Sequence, residues 1–198
     1  MPRYFVLNKP YGVLSQFTRE EPHHRVLGDL YPFPSGVYPV GRLDQDSEGL
    51  LIITDDKKLN HLLLDPVHQH RRTYLAQVEG APGPEALEQL RAGGLSVRAG
   101  KKAHKTLPAG VRLLESPPKV PEREPPIRYR KNVPDSWIEL ELMEGKNRQV
   151  RRMCAAVGLP VLRLIRARIE DLDLRGLDVG GVREMKAEAL YRLLGIRP

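Results

Sequence analysis

Gly41-Arg42-Leu43-Asp44-Gln45-Asp46-Ser47-Glu48-Gly49-Leu50 runs straight into the apolar Leu51-Ile52-Ile53. Two glycines bracket a polar loop in which an arginine stands two residues before an aspartate. The apolar residues that follow are short and uninterrupted, the pattern of a strand buried on both faces. A loop of this kind holds one carboxylate at the rim of a cleft, where it can serve as a nucleophile or a base.

Outward from that loop the chain alternates strands with only a few helices. Tyr4 to Leu7 reads as a first strand that ends in the turn chemistry of Asn8-Lys9-Pro10-Tyr11-Gly12. Asp55-Asp56 caps a helix over Lys57 to Leu64, which Asp65-Pro66 ends. Thr73 to Val78 and Trp137 to Leu142 alternate as strands, the second with one acidic, wet face. Pro84 opens a helix that stops at Gly93-Gly94. Asn147 to Val157 is a helix closed by Gly158, Val161 to Ile169 returns as a strand, and Met185 to Leu194 is a terminal helix. This order predicts an α+β fold, a mixed and mainly antiparallel sheet with a few packed helices. We expect a single domain over residues 1–198, with two lobes around a cleft. Residues 116–134 carry six prolines and five basic residues, which excludes a central strand or helix. That segment reads as a surface loop, with a basic flap touching a polyanion as the sharper alternative.

Composition narrows the class of partner. The 198 residues carry a formal charge of +7, and no apolar run is long enough to cross a bilayer. The single cysteine, Cys154, excludes an internal disulfide and fits a reducing cytoplasm. No heptad pattern or exposed apolar stripe speaks for an oligomer, so a monomer is expected. The charge is also localised. Between Gly145 and Arg168 stand seven basic residues and no acidic one, and smaller basic clusters occupy His68 to Arg72 and Lys101 to Lys105. Such patches suit a phosphate backbone. In the helix of residues 147–157, Val150, Met153, Cys154 and Val157 share one face, the core side. Arg148, Arg151 and Arg152 then fall on the other face, and Arg163, Arg166 and Arg168 follow on the next strand. The usual fate of a charge run is a solvated face, but here no acidic partners accompany it.

Taken in order, Asn8-Lys9-Pro10-Tyr11-Gly12-Val13, then Gly41-Arg42-Leu43-Asp44 with Ser47, Gly49, Leu50 and Leu51, then Arg72-Thr73-Tyr74 with Val78-Glu79-Gly80, and last Gly145-Lys146-Asn147-Arg148-Gln149-Val150-Arg151-Arg152-Met153 with Val157-Gly158-Leu159-Pro160-Val161, resemble the motifs of the bacterial ribosomal pseudouridine synthase family. The first of these begins at residue 8, so the chain resembles the short members that carry no S4 RNA-binding domain. The resemblance implies an RNA pseudouridine synthase that isomerises a uridine of large-subunit (23S) ribosomal RNA, with small-subunit ribosomal RNA or transfer RNA as the alternative substrate. It implies that Asp44 is the nucleophile, with base or sugar as its first site of attack left open. It implies that Tyr74 stacks on the target base and takes part in removing the C5 proton, that Arg151 pairs with the aspartate, and that Arg42 enters the space vacated by the flipped nucleotide. Lys9, Arg72, Lys146, Arg148 and Arg152 are expected to contact RNA. Where the family usually has lysine before Thr-Tyr, this chain has Arg72, which keeps the charge.

These roles make chemical sense. The enzyme must extrude a stacked nucleotide, offsetting an unstacking cost of a few kcal/mol with stacking and phosphate contacts. An arginine at contact distance favours the ionised aspartate. Breaking and remaking a glycosidic link within one pocket needs no cofactor and no metal. Other readings of the same residues are weaker. Asp44, Asp46, Glu48, Gly49 and Asp55 mimic part of a calcium loop, but the twelfth ligand is normally glutamate and no helix enters the loop. His68 and His70 lack further metal ligands nearby. A non-catalytic RNA-binding or ribosome-assembly protein would keep the arginine helix without needing Asp44 and Tyr74 together. A nuclease would require paired carboxylates with metal, or two histidines.

Overall fold

The computed structural model describes residues 1–99, 102–127 and 133–197. Lys101 of the second basic cluster and residues 128–132 of the proline-rich segment lie outside the described residues. In chain order the elements are strands β1 (Tyr4–Lys9), β2 (Tyr38–Pro39) and β3 (Glu48–Thr54), helix α1 (Lys57–Leu64), strand β4 (Arg72–Glu79), helix α2 (Pro84–Ala92), strands β5 (Ser96–Ala99), β6 (Lys102–Lys105), β7 (Gly110–Leu113) and β8 (Asp135–Leu142), helix α3 (Gln149–Ala156), strands β9 (Val161–Ile169), β10 (Leu172–Asp173) and β11 (Val182–Met185), and helix α4 (Ala187–Leu193). The chain forms two compact units, Met1–His70 with Ile165–Pro198, and Arg71–Leu164. The fold is α+β: β1 with β3 and β11, β2 with β3, β4 with β8, β5 with β6, β7 with β8 and β9 with β10 pair antiparallel, and β3 pairs with β9 in parallel.

The first unit is organised by β3. All seven of its residues are buried, as the unbroken Leu50 to Ile53 run predicts. β1 pairs antiparallel with β3 on one side and with β11 on its other edge. β3 meets β9 in parallel through Glu48 opposite Ile165 and Gly49 opposite Arg166. Gly49 makes that approach possible: its φ is +104°, and a Cβ there would stand 2.3 Å from the Arg166 carbonyl oxygen. The side chains of β3 feed two cores. Leu50 and Ile52 pack with Leu59 and Leu63 of α1, Leu190 of α4 and Leu194 just beyond it, while Leu51 and Ile53 pack with Phe5, Leu7 and Leu27.

Helix α1 has the bounds its sequence predicts. The Asp56 carboxylate accepts from the backbone N–H of Lys58 and Leu59, satisfying two of the orphan donors of the first turn. Leu59 and Leu63, one turn apart, are the buried pair, worth about 1.5–3 kcal/mol each when fully removed from water. Asp56 also accepts from Tyr4 Oη (2.7 Å) and Tyr191 Oη (2.6 Å), so β1 and α4 are both tied to the start of α1.

In the second unit β4, β8 and β7 form an antiparallel run, with every residue of β4 paired to β8. The wet face expected of β8 carries Glu139 and Glu141, while Trp137, Ile138, Leu140 and Leu142 are buried. Helices α2 and α3 cover the other side through Leu87, Leu90, Val150, Met153 and Cys154. Beside them lies a two-stranded hairpin, β5 with β6, which periodicity does not announce because each strand has only four residues.

Several boundaries differ from expectation. α3 begins at Gln149, not Asn147, because Arg148 takes a left-handed conformation (φ +51°) as its cap. α4 begins at Ala187 because Met185 is the last residue of β11, paired with Tyr4. The described part of the proline-rich segment has no helix or strand, as its prolines require. Arg123 turns back onto the carbonyls of Pro125 and Pro126, and Arg163 donates to the Pro121 carbonyl at 2.9 Å. Those arginines hold the loop together.

Candidate active site

Asp44 sits, partly buried, in the loop between β2 and β3. The residue before it, Leu43, is gripped by Ser15: the Leu43 N–H donates to Ser15 Oγ (3.1 Å), and the same hydroxyl donates to the Leu43 carbonyl (2.8 Å). The residue after it, Gln45, accepts from the Gly12 N–H at 2.8 Å and returns its side-chain amide to the Gly12 carbonyl at 3.3 Å. The Ser47 N–H closes the turn on the Asp44 carbonyl at 3.0 Å. The backbone on both sides of the carboxylate is therefore held by hydrogen bonds to the turn that follows β1. An oriented carboxylate is what a nucleophile requires.

Lys9 departs from the role expected of it. It is fully buried, and its Nζ donates to the Val13 carbonyl (2.7 Å) and the Pro10 carbonyl (3.0 Å). An ammonium enclosed in this way shapes the 10–13 turn and does not reach a phosphate. Burial lowers its pKa to about 7, although Glu48, Asp46 and Asp44 pull it upward; Arg166 adds to the lowering. Arg163 and Arg166 also leave the basic face that the strand pattern suggests: both are buried, and Arg166 Nε donates to the Leu50 carbonyl at 2.8 Å. Of the three arginines on β9, Arg168 is exposed.

Of the remaining expected residues, Arg42 is exposed in the Asp44 loop of the first unit. Arg72 and Tyr74 lie on β4 of the second unit, both partly buried, with Tyr74 packed against that unit's core. Lys146, Arg148, Arg151 and Arg152 gather at the start of α3. Arg151 Nη1 donates to the Val161 carbonyl at 3.1 Å, and Arg152 Nη2 to Asn147 Oδ1 at 2.9 Å. Lys146 and Arg148 are exposed. Gln149 bonds back to the Lys146 N–H through its side-chain oxygen (2.9 Å), which supports the turn where no side chain caps the helix at Arg148.

The rival chemistries find less support. Cys154 is buried and burial pushes its thiol up to about 12, against the lowering effect of Arg151, so it is an inert core residue. In the calcium reading Asp55 would have to join Asp44 and Asp46, yet the length of β3 lies between them, about 20 Å at ~3.3 Å per residue. The Asp55 carboxylate instead accepts from the Arg3 N–H at 2.7 Å. Ser15, which braces the backbone before Asp44, carries no sequence signal, because a serine in a turn looks like any other.

Comparison with known proteins places this architecture and its aspartate loop in a class of RNA-modifying enzymes. The profile of the RNA pseudouridylate synthase family matches residues 3–156, and the chain belongs to that family. It is similar to ribosomal large subunit pseudouridine synthase E of Xanthomonas axonopodis pv. citri, with 54% identity over 173 residues, covering 87% of this chain and 88% of that protein. The protein of the same name from Vibrio parahaemolyticus is 42% identical, over 93% of this chain and 74% of that one. Ribosomal large subunit pseudouridine synthase B of Bacillus subtilis is 37% identical, over 97% and 71% respectively. Among solved structures, a crystal structure of a pseudouridylate synthase superposes with a TM-score of 0.76 at 26% identity, over 98% of this chain and 74% of that one. The protein is an RNA pseudouridine synthase, an isomerase. The non-catalytic RNA-binding alternative is not favoured.

Proposed function

We propose that this enzyme isomerises a uridine of large-subunit ribosomal RNA, with Asp44 as its nucleophile. Support for the substrate comes from the relatives named for that RNA, at 54% and 42% identity. One observation carries the assignment of Asp44: its loop is fixed by hydrogen bonds at Leu43, at Gln45 and at its own carbonyl. In the reaction the bond from C1′ to N1 breaks, the base turns while held, and a bond from C1′ to C5 forms. The C5 proton leaves and N1 gains one, so no electrons enter or leave. Asp44 attacks the extruded nucleotide, and Tyr74 stacks on the base and helps take the C5 proton. Arg151 supplies a positive charge to the reaction. Arg42 fills the space that flipping opens. Arg72, Lys146, Arg148 and Arg152 hold phosphates, a role in which guanidinium offers a fork that ammonium lacks. The enzyme works as a monomer in the cytoplasm, a reading supported by its lone cysteine and by the absence of a heptad.

Carbodiimide-adduct primer extension on ribosomal RNA from cells lacking the protein tests this reading. We expect one lost stop in the large-subunit RNA, restored by wild type and not by Asp44→Asn, while the variant still binds RNA. Restoration by Asp44→Asn would overturn the nucleophile. A ribosomal RNA without a lost stop would overturn the substrate and turn the search to transfer RNA.

A further inference from the structure

The β5–β6 hairpin carries basic residues that the isomerisation chemistry leaves unused. Its register sets Ser96 opposite Lys105 and Arg98 opposite Ala103, so these four side chains share one face. All four are exposed. On the opposite face Val97 is only 3% exposed and joins the core of the second unit, while Lys102, at the far end of that face, is exposed. No acidic residue occurs between Gly93 and Lys105. Arg98 and Lys105 make no ion pair among the described residues. The two cations therefore flank small neighbours, Ser96 and Ala103, which leave room for an approaching polymer. An ordinary solvated surface mixes both signs of charge. This one has a single sign.

A two-stranded hairpin of this length is marginal by itself, yet this one is pinned at its open end. The Gly94 N–H donates to the Thr106 carbonyl (2.7 Å) and the Thr106 N–H to the Leu95 carbonyl (3.0 Å). A side-chain network adds a second hold. His104 Nε2 lies 2.7 Å from Glu144 Oε2, on a carboxylate whose side chain is only 8% exposed. The other oxygen of Glu144 accepts from the Leu107 N–H at 2.8 Å and from the Gln149 side-chain amide. Gln149 is the first residue of α3 and supports the Lys146 N–H. One enclosed carboxylate thus fastens both the basic hairpin and the basic start of α3.

We propose that the exposed face of the β5–β6 hairpin is a second docking surface for the phosphate backbone of the substrate RNA, held in register with the start of α3 by Glu144. The proposal rests on the large-subunit RNA reading above and extends it beyond the nucleotide being modified. Enzymes that flip a base offset the unstacking cost with interactions along the flanking backbone. A rigid pair of cations a short distance from the arginine helix supplies such interactions, where a mobile pair would lose entropy on binding.

The test uses the full chain and a transcript of large-subunit ribosomal RNA, with binding measured across a range of potassium chloride. Relative to wild type, the Arg98→Ala/Lys105→Ala double variant should bind more weakly, with a log–log salt slope shallower by about 0.7–0.9 for each phosphate no longer neutralised. Its KM for pseudouridine formation should rise by more than its kcat falls. An unchanged affinity and slope would overturn the proposal and make the face a solvated one. In a Glu144→Gln background, matched to wild type in circular dichroism, the same double substitution should cost less affinity because the hairpin is already loosened. An equal cost in both backgrounds would overturn the part assigned to Glu144. Wild type that binds the transcript but never isomerises it defeats the substrate assignment, while the salt slope still decides the hairpin.

Discussion

Ser15 and Leu43 are joined by two hydrogen bonds through a single hydroxyl, 2.8 Å to the Leu43 carbonyl and 3.1 Å from its N–H. Ser15 is buried, so no water replaces it if the hydroxyl is removed. Leu43 immediately precedes Asp44, the proposed nucleophile, and the direction in which the Asp44 side chain leaves the backbone depends on this pair.

Ser15→Ala strands a buried donor and a buried acceptor, which costs about 1–3 kcal/mol each at most. We expect a lower Tm and a single-turnover rate of pseudouridine formation reduced by roughly tenfold or more, since small misplacements of catalytic groups are costly. RNA affinity should stay close to that of wild type. A variant with reduced Tm but an unchanged single-turnover rate would show that Ser15 serves stability alone.

Lys9 gives the protein a pH dependence of known sign. Burial, outweighing Glu48, Asp46 and Asp44, lowers its pKa from 10.5 in the ordinary case to about 7 in the fold. Between those values the unfolded chain holds a proton on Lys9 that the folded chain has released, so unfolding takes up a proton. Stability from this group therefore rises with pH across the window and is lowest below about pH 7. Urea midpoints of wild type and Lys9→Met, compared at roughly pH 6.5 and pH 9.5, should show the wild type gaining on the variant at the higher pH. Parallel curves would mean that Lys9 keeps its proton within the fold.

Variants of Tyr74 separate the two roles proposed for it, stacking and proton transfer. Tyr74→Phe keeps the ring, so RNA affinity should be near wild type while the single-turnover rate falls. Tyr74→Ala should lose affinity as well, by about 1–3 kcal/mol if one base stacks on the ring. Equal affinity losses in the two variants, read by filter binding, would remove the stacking role.

The Asp56 carboxylate accepts from Tyr4, Tyr191, Lys58 N–H and Leu59 N–H. Burial would raise its pKa, yet the bonds from Tyr191, Tyr4 and the two backbone donors together lower it below 3.8. Its contribution to stability is thus complete above the unfolded value and lost as pH falls through the folded one. Tyr191→Phe should cost about 1 kcal/mol, and Asp56→Ala more, since the helix cap is lost with it. Thermal melts near neutral pH check the order, and a smaller loss for Asp56→Ala than for Tyr191→Phe would contradict it.

Local chemistry in the sequence determined a good deal of this protein. Asp56 caps the backbone that directly follows it, Pro66 ends the same helix, and the apolar residues 50–53 can only be buried, so α1 and β3 stand where they were expected. The order of short motifs around Asp44, Tyr74 and Arg151 was enough to indicate the enzyme family. Pairing between distant segments decided the rest. Lys9 and Arg166 look like RNA-binding cations in one dimension, but β1 and β9 each pair with β3, which buries both: Lys9 turns onto the carbonyls of its own 10–13 turn, and Arg166 donates to the Leu50 carbonyl of β3. Ser15 meets Leu43, and Glu144 meets His104 and Gln149, across loops whose sequences carry no periodic signal. Which face of a strand a charged residue occupies is written in its own sequence. Whether that face meets water or another strand depends on partners far along the chain, and only the tertiary structure supplies them.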